Sequence, residues 1–456
     1  MAGIGFELRK LLQRDTLLSL VRAYAYAGVI SSGPWVLSII GMLIIGLLSF
    51  SVVTPDLLIT QFQVTVTVLI ALSLILTGAI QLAFTRFIAD RLFEKRPELI
   101  IGNYHAVLLV VTTATGVLST LAVVTLFPDQ TALYKLEIIA GFVIMSNVWI
   151  ATVFLSGIKQ YNTIVVLYLG GYALSVTAAL AMRPFNVEGL LGGFIAGQIV
   201  LFAGEHAVIM KNFPSPKGMS FEVFRKKYFY WTLAGIGFLY NLGLWIDKFI
   251  FWYWPPTSQA VIGPLRASVI YDLPVFMAYL SIIPGMAIFL VRIETDFVEN
   301  YDGFYTGVRE GGSLEQIERF RNGMLEAVRS GIFEIIKIQS IATLLLFVVG
   351  ERLLAWVRIS DLYLPLLYVQ TIAAGLQVLF LAILTVYFYL DKRFVVLLLC
   401  VLLVISNGLF TIVSVRLGPE YYGYGFALSL LLVVTIGFYS LERTFGRLEY
   451  STFMLQ

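Results

Sequence analysis

The sequence predicts an all-α polytopic membrane protein, because long apolar runs follow one another, charged residues are few, and basic residues gather on alternate loops. Of the 456 residues, 59% are hydrophobic and 13% are charged, which is more apolar surface than a soluble fold can bury. A helix rises about 1.5 Å per residue, so roughly 20 apolar residues cross the hydrocarbon core. The cores of twelve such runs are Val36–Phe50, Val64–Ala83, Ala106–Phe127, Ile138–Leu155, Thr163–Met182, Leu190–Met210, Tyr228–Phe251, Val269–Val291, Ile332–Val349, Leu366–Leu390, Phe394–Val415 and Ala427–Leu441.

The loops between these runs alternate between basic and nearly uncharged, as the positive-inside rule requires. With twelve spans, 24 of the 31 Lys and Arg residues fall on the side that carries both termini, and Lys248 lies within a span. An odd number of spans destroys this asymmetry. The sequence therefore predicts twelve transmembrane helices in a multi-pass protein with both termini in the cytoplasm.

The polar stretch Lys211–Lys227 divides the twelve runs into six and six. We expect a six-helix bundle over residues 1–213, beginning with an amphipathic segment, then a cytoplasmic linker over 214–227 and a second bundle over 228–456. Two bundles around a central cavity are a common plan of transporters.

The second bundle includes a predicted cytoplasmic arm, residues 292–331. Ser313 and Gln316 have the spacing of a helix capping box, and apolar residues follow them at helical intervals. The amphipathic arm could anchor to lipid or dock a cytoplasmic partner. The N-terminal segment Gly5–Leu18 has the same two interpretations.

Ionisable side chains within a span are costly, and they are therefore candidates for function. Lys248 and Asp272 lie at similar distances from the turn between spans seven and eight. Asp272 or Asp247 could neutralise Lys248, although adjacent side chains on a helix point about 100° apart. The functional interpretation is a polar patch on a substrate path, and the structural one is an ion pair beside an interfacial aromatic belt. The aromatic residues included in the predicted path are Trp245, Trp252 and Tyr253.

A second pair of ionisable residues, Glu205 and His206, lies in span six, and Gln198 shares a face with Glu205. Histidine titrates near neutrality and could couple transport to protons. A satisfied interior histidine, or a Glu205 that reaches toward Lys211, is the structural alternative.

Gly and Pro interrupt several spans and predict hinges there, because an internal Pro removes a helical hydrogen bond. Freed backbone groups are tolerated only against protein or water. Close packing between helices is the alternative for the glycines. The predicted hinge residues are Gly33 and Pro34 in span one, Gly235 and Gly243 in span seven, and Pro274 in span eight.

Motifs for enzymatic chemistry are absent from the sequence. It contains no GxxxxGK[ST] loop for nucleotide phosphates and no loop with a cluster of metal ligands. The single cysteine, Cys400, lies in an apolar run and excludes an intrachain disulfide. We therefore expect no enzymatic activity, no metal and no cofactor, and transport across the bilayer as the function.

The N-terminal sequence adds a resemblance to a known family. Residues 1–11 (MAGIGFELRKL), 24–28 (YAYAG) and 31–35 (SSGPW) resemble the PelG family, inner-membrane components of the bacterial Pel exopolysaccharide machinery. That family is similar in plan to the multidrug/oligosaccharidyl-lipid/polysaccharide (MOP) flippase superfamily. The resemblance implies export of an N-acetylhexosamine-rich polysaccharide, with the cytoplasmic glycosyltransferase PelF and the membrane proteins PelD and PelE as partners. It assigns no residue that contacts substrate.

Two alternative functions remain open at this stage. One is a flippase for a lipid-linked oligosaccharide, which needs cations for a pyrophosphate group, whereas Lys248 is the only Lys or Arg clearly within a span. The other is a membrane scaffold that recruits the glycosyltransferase without conducting polymer, and the amphipathic arm favours it.

Overall fold

A computed structural model describes residues 17–49, 57–213, 218–356 and 360–454. Most of the predicted segment Gly5–Leu18 and residues 214–217 of the predicted linker lie outside these ranges. The described helices are α1 Leu17–Ser49, α2 Leu57–Phe93, α3 Ile100–Leu126, α4 Ala132–Gly157, α5 Tyr161–Met182, α6 Asn186–Asn212, α7 Trp231–Tyr253, α8 Val269–Leu280, α9 Ile282–Val291, α10 Val298–Glu310, α11 Leu314–Trp356, α12 Leu364–Tyr389, α13 Arg393–Leu417, α14 Tyr424–Phe445 and α15 Leu448–Met454. Strands β1 (Gln259–Ile262) and β2 (Leu265–Ala267) form one antiparallel hairpin.

The helices confirm the all-α, multi-pass class. Within the described ranges, nine helices are long and apolar enough to cross a membrane, or ten if α8 and α9–α10, which meet at a bend of 40°, form one span. One of the nine, Tyr161–Asn212, combines α5 and α6, and Val36–Ser49 is a shorter apolar helix. The number twelve stays a prediction.

Two compact units make up the fold, and they do not coincide with the predicted bundles 1–213 and 228–456. One unit comprises Pro34–Val269, and the other comprises the described part of Met1–Gly33 together with Ile270–Gln456. We call them the 34–269 unit and the 270–456 unit. Helix α7 belongs to the 34–269 unit because it packs along α2. The first half of α1 belongs to the 270–456 unit because Gly28 faces Ala287 of α9.

Helices α2 and α7 cross through a contact between two glycines. A Cβ added at Gly78 would lie 2.5 Å from the carbonyl oxygen of Gly237, and a Cβ at Gly237 would collide with the carbonyl of Gly78. Small residues allow this close approach of two membrane helices. Asn241 also lies at this crossing, one turn after Gly237, and its amide Nδ2 donates to the Gly237 carbonyl at 2.9 Å.

The β-hairpin covers the end of the 34–269 unit after α7. The Gln61 side chain of α2 donates to the carbonyl of Val261 at 3.1 Å, and Gly263, with a positive φ of 53°, turns against Phe127. Pro264 lies in the same turn, between β1 and β2, where a residue needs no backbone donor.

The predicted arm is a helical hairpin of α10 and α11 within the 270–456 unit. Ser313 caps α11 as the sequence predicts, since its Oγ accepts from the Gln316 amide at 3.3 Å. Gly311, in the left-handed conformation, ends α10. Ile317 and Met324 of α11 are buried against protein, so the apolar stripe of the arm needs neither lipid nor a partner to cover these positions.

The glycine contact between α2 and α7 gives a first prediction. Gly237→Ala should destabilise the protein by about 1–3 kcal/mol, because overpacking forces the two backbones apart. The expected measurement is a fall of several degrees in the apparent melting temperature of the purified protein in detergent.

Gly170→Ala on α5 is the matched control, since a Cβ there meets nothing within 4 Å, and it should leave the melting temperature unchanged or slightly raised. Equal melting temperatures for the two variants would contradict the described crossing.

Candidate functional site

Helix α7 contains a buried ion pair formed by two adjacent residues. Asp247 is 0% exposed and Lys248 is 4% exposed. The Lys248 Nζ lies 3.0 Å from Asp247 Oδ2 and also donates to the backbone carbonyl of Leu244 at 3.0 Å. The sequence argument that adjacent side chains do not face each other was therefore wrong for this pair. The long lysine chain folds back along the helix, which brings its ammonium to both acceptors.

Aromatic rings surround this pair at the end of α7. The Lys248 Nζ lies 5.9 Å from the centre of the Trp245 ring, a distance typical of a cation–π contact. Trp252 is buried and its ring centre lies 6.2 Å from that of Trp245. Tyr253 is 56% exposed, and its hydroxyl donates to the carbonyl of Pro264 at 3.2 Å. Of the three predicted aromatic residues on α7, Trp252 is therefore buried, Trp245 is partly exposed and Tyr253 is exposed.

Asp272 lies in the first turn of α8 and is half-buried. It belongs to the 270–456 unit, whereas Asp247 and Lys248 belong to the 34–269 unit. Its place on the substrate path stays a prediction. Arg266 of β2 donates from Nε to the hydroxyl of Ser258, the residue before β1.

Glu205 lies fully buried inside the 34–269 unit, where it accepts a hydrogen bond from the Thr152 hydroxyl at 2.7 Å. The same hydroxyl lies 2.9 Å from the hydroxyl of Tyr168. The second carboxyl oxygen of Glu205, Oε2, has no hydrogen-bond partner among the described residues. The side chain thus points into the unit and not toward Lys211, which is exposed.

His206 follows Glu205 but faces a different group of residues. Its Nδ1 lies 3.3 Å from the hydroxyl of Tyr104, and its ring centre lies 6.0 Å from that of His105. His206 is only partly buried, which does not match the alternative of a satisfied interior histidine. Gln198 is buried, as its shared face with Glu205 predicts, and donates to Ser175 at 3.3 Å.

The predicted hinge residues have different surroundings. The boundary between the two compact units falls between Gly33 and Pro34, inside α1. Gly235 and Gly243 lie in α7, which is continuous. Pro274 lies inside α8, but the break of span eight is at Ser281, seven residues later. Pro284 in the first turn of α9 has no N–H to continue the helix, which accounts for this position.

Sequence reasoning missed the polar partners of these residues. Thr152 and Tyr168 hold Glu205, and Gln339 of α11 bonds to the break at Ser281. The one signal in the sequence was a lone Gln inside the predicted apolar run Ile332–Val349. Within the described ranges, no group of three or more His, Cys, Asp or Glu residues could hold a metal ion.

Comparison with known proteins gives one family and one fold. Residues 1–453 match the family described as "PelG: Putative exopolysaccharide Exporter (EPS-E)". No curated protein sequence matches the chain.

Solved transporter structures share the fold across nearly the whole chain. An outward-facing multidrug resistance MATE family transporter of the MOP superfamily has a TM-score of 0.68 at 14% identity, covering 93% of this chain and 96% of that one. A MOP superfamily transporter from Pyrococcus furiosus has a TM-score of 0.65 at 12% identity, with coverage of 93% and 96%. An inward-facing MATE family transporter has a TM-score of 0.59 at 12% identity, with coverage of 94% and 95%. The all-α membrane fold is therefore MATE-like.

The ion pair of α7 gives a second prediction. Lys248→Ala leaves the buried Asp247 carboxylate without this cation and should cost about 3–5 kcal/mol of stability. The double variant Asp247→Asn/Lys248→Met removes both charges and should recover most of that loss. Thermal or denaturant unfolding in detergent measures both.

A double variant no more stable than Lys248→Ala would contradict the pairing. The neutral replacement Glu310→Gln, at an exposed site on the arm, serves as a control that should not change stability.

Proposed function

Because the chain belongs to the PelG family of exopolysaccharide exporters, we propose that it moves a Pel-like, N-acetylhexosamine-rich polysaccharide across the cytoplasmic membrane. The match over residues 1–453, together with a MATE-like transporter fold, is the observation that carries this proposal. The distribution of Lys and Arg residues supports insertion in the bacterial inner membrane with both termini in the cytoplasm.

The proposal includes partners and excludes catalysis by this chain. A growing polymer has to come from a glycosyltransferase, and we propose a cytoplasmic one, PelF, with PelD and PelE beside it in the membrane. The chain itself would supply passage and not bond formation, so it would be no enzyme and would need no cofactor.

We propose that Asp247, Lys248 and Asp272 contact the polymer together with Trp245, Trp252 and Tyr253. The paired Asp247 and Lys248 carry no net charge, which suits hydroxyl and acetamido groups better than an anionic ligand. Aromatic rings beside the pair suit the apolar faces of sugars. The neutralised Lys248 also argues against a pyrophosphate-binding flippase, which needs free cations in its site.

Glu205 is the residue that we propose for energy coupling, with His206 near it. An ionised carboxylate without a cation is unfavourable in a fully buried site, and Glu205 has a single hydroxyl donor there. We therefore propose that it carries a proton in this conformation and releases it in another. The titratable groups around it are Tyr168, which shares the hydroxyl of Thr152, and Tyr104, which bonds to His206.

We propose that the bends needed for passage occur at Gly33, Pro34, Gly235, Gly243 and Pro274. The unit boundary within α1 supports the first two of these residues. The break of span eight seven residues after Pro274 supports the last.

The substrate contacts give a third prediction. Asp247→Asn/Lys248→Met and, separately, Asp272→Asn should each lower polymer secretion at least several-fold in cells that contain equal amounts of the protein in the membrane. Secreted polymer, normalised to membrane-inserted protein, is the measurement. Normal secretion by both variants would remove these residues from the proposed path.

The coupling residue gives a fourth prediction. Glu205→Gln keeps the shape of the side chain but cannot exchange a proton, so polymer movement into vesicles should lose its dependence on an imposed proton gradient. The exposed Glu420→Gln should keep that dependence. A gradient response of Glu205→Gln equal to that of the unmodified protein would exclude Glu205 as the coupling residue.

A further inference from the structure

Gln339 of α11 is bound at the break between α8 and α9. It is 5% exposed, and its amide Nε2 donates to the backbone carbonyl of Ser281 at 2.9 Å. Ser281 is the residue between the two helices, and its own hydroxyl donates to the carbonyl of Ala278 at 2.6 Å. The Gln339 side chain, which comes from another helix, therefore takes part in the hydrogen bonding at the break.

The break leaves one carbonyl without its helical donor. Pro284 has no N–H, so the carbonyl of Leu280, four residues earlier, lacks the bond that a continuous helix would supply. An unsatisfied carbonyl in apolar surroundings costs free energy, and broken membrane helices persist where neighbouring side chains supply the missing bonds. Gln339 donates to the next carbonyl along, that of Ser281, and so brings a side-chain donor from another helix to the interrupted turn.

Two glycines make room for the Gln339 side chain. A Cβ added at Gly285 of α9 would lie 2.6 Å from Gln339 Oε1, and one added at Gly375 of α12 would lie 2.6 Å from Gln339 Cγ. The side chain thus fits between two helix backbones that have no side chain at these positions. Oε1 has no hydrogen-bond partner among the described residues, so the contact to Ser281 is made by the amide nitrogen.

The same helix, α11, extends without interruption to the arm. Leu314, the first residue of α11, lies 25 residues before Gln339, which is about 38 Å along the helix. A second connection lies between these ends, where Arg292 donates from Nε to Glu334 at 2.7 Å and from Nη1 to Asp296 at 2.7 Å. The Gln339–Ser281 and Arg292–Glu334 bonds thus join α11 to both ends of α9.

At its N-terminal end, α11 packs closely on α10. A Cβ at Gly303 would lie 2.5 Å from the ring of Phe320, and a Cβ at Gly323 would collide with the side-chain oxygen of Asn300. Arg321 also forms an ion pair with Glu449 of α15 at 3.1 Å. The arm contacts the first turns of α11 and the break contacts its middle, so one continuous helix touches both.

We propose that Gln339 is the positioning residue that sets the bend of span eight, and that α11 couples the arm to that bend. A force on the arm, from whatever binds there, is transmitted along α11 to Arg292 and Ser281. This inference concerns the conformation of the 270–456 unit and does not depend on the transported molecule.

Amide hydrogen exchange over residues 276–291, in the full-length protein in detergent, tests the positioning role. Gln339→Met keeps the length of the side chain but removes the donor, so exchange should rise several-fold. Gly375→Ala should do the same by displacing Gln339, but it should add little in a Gln339→Ala background, where the space is free. The exposed neighbour Ser340→Ala is the control and should change nothing.

Unchanged exchange in Gln339→Met would overturn the positioning role. Additive effects of Gly375→Ala and Gln339→Ala would also overturn it, because they would place the glycine contact elsewhere.

The coupling is tested from the arm. Gly323→Ala should push α10 and α11 apart and raise exchange at 276–291 several-fold, and this rise should be lost in the Gln339→Met background. Asn300→Ala, which removes the 2.9 Å bond to the Asp296 carbonyl, is the milder variant if Gly323→Ala does not fold. Increased exchange in the arm with no change at 276–291 would overturn the coupling.

Discussion

Every polar group buried within the spans has to find its partner in the protein, because lipid offers none. Three places in the described chain meet this requirement to different degrees, since Glu205 Oε2 and Gln339 Oε1 have no partner among the described residues. Lys248 folds back on Asp247 and a carbonyl of its own helix. Glu205 relies on one hydroxyl, and Gln339 satisfies the break of span eight from a neighbouring helix.

These three places have different capacities for change. The Asp247–Lys248 pair carries no net charge as a unit. Glu205 can gain or lose one proton at a fixed position. The break at Ser281 can change its bend if the amide of Gln339 moves. The residues proposed for substrate contact, for energy coupling and for the bend of span eight thus lie at separate places, and each can be altered by substitution without removing the others.

The sequence predicted those features that depend on local pattern. It predicted the helical membrane class, the capping of α11 by Ser313 and a broken eighth span, because apolar length, capping spacing and proline act over a few residues. It did not predict that α7 packs with α2, since the contact between Gly78 and Gly237 joins positions far apart in the chain. The pairing of Asp247 and Lys248 was one of the two that the sequence allowed, and it forms despite the angle between adjacent side chains because lysine is long enough to fold back. The partners Thr152 and Gln339 were missed for the same reason as the packing of α7, because their hydrogen bonds join helices that are far apart in the sequence.

The central claim is that this chain conducts an exopolysaccharide through the membrane. Its most direct measurement uses the purified protein in sealed vesicles, with the polysaccharide synthase on one side and polymer detected on the other. We expect polymer inside vesicles that contain the protein, and none inside vesicles that contain the synthase alone. Polymer that accumulates only on the synthase side, with the protein inserted and the synthase active, would contradict conduction and would favour a scaffold.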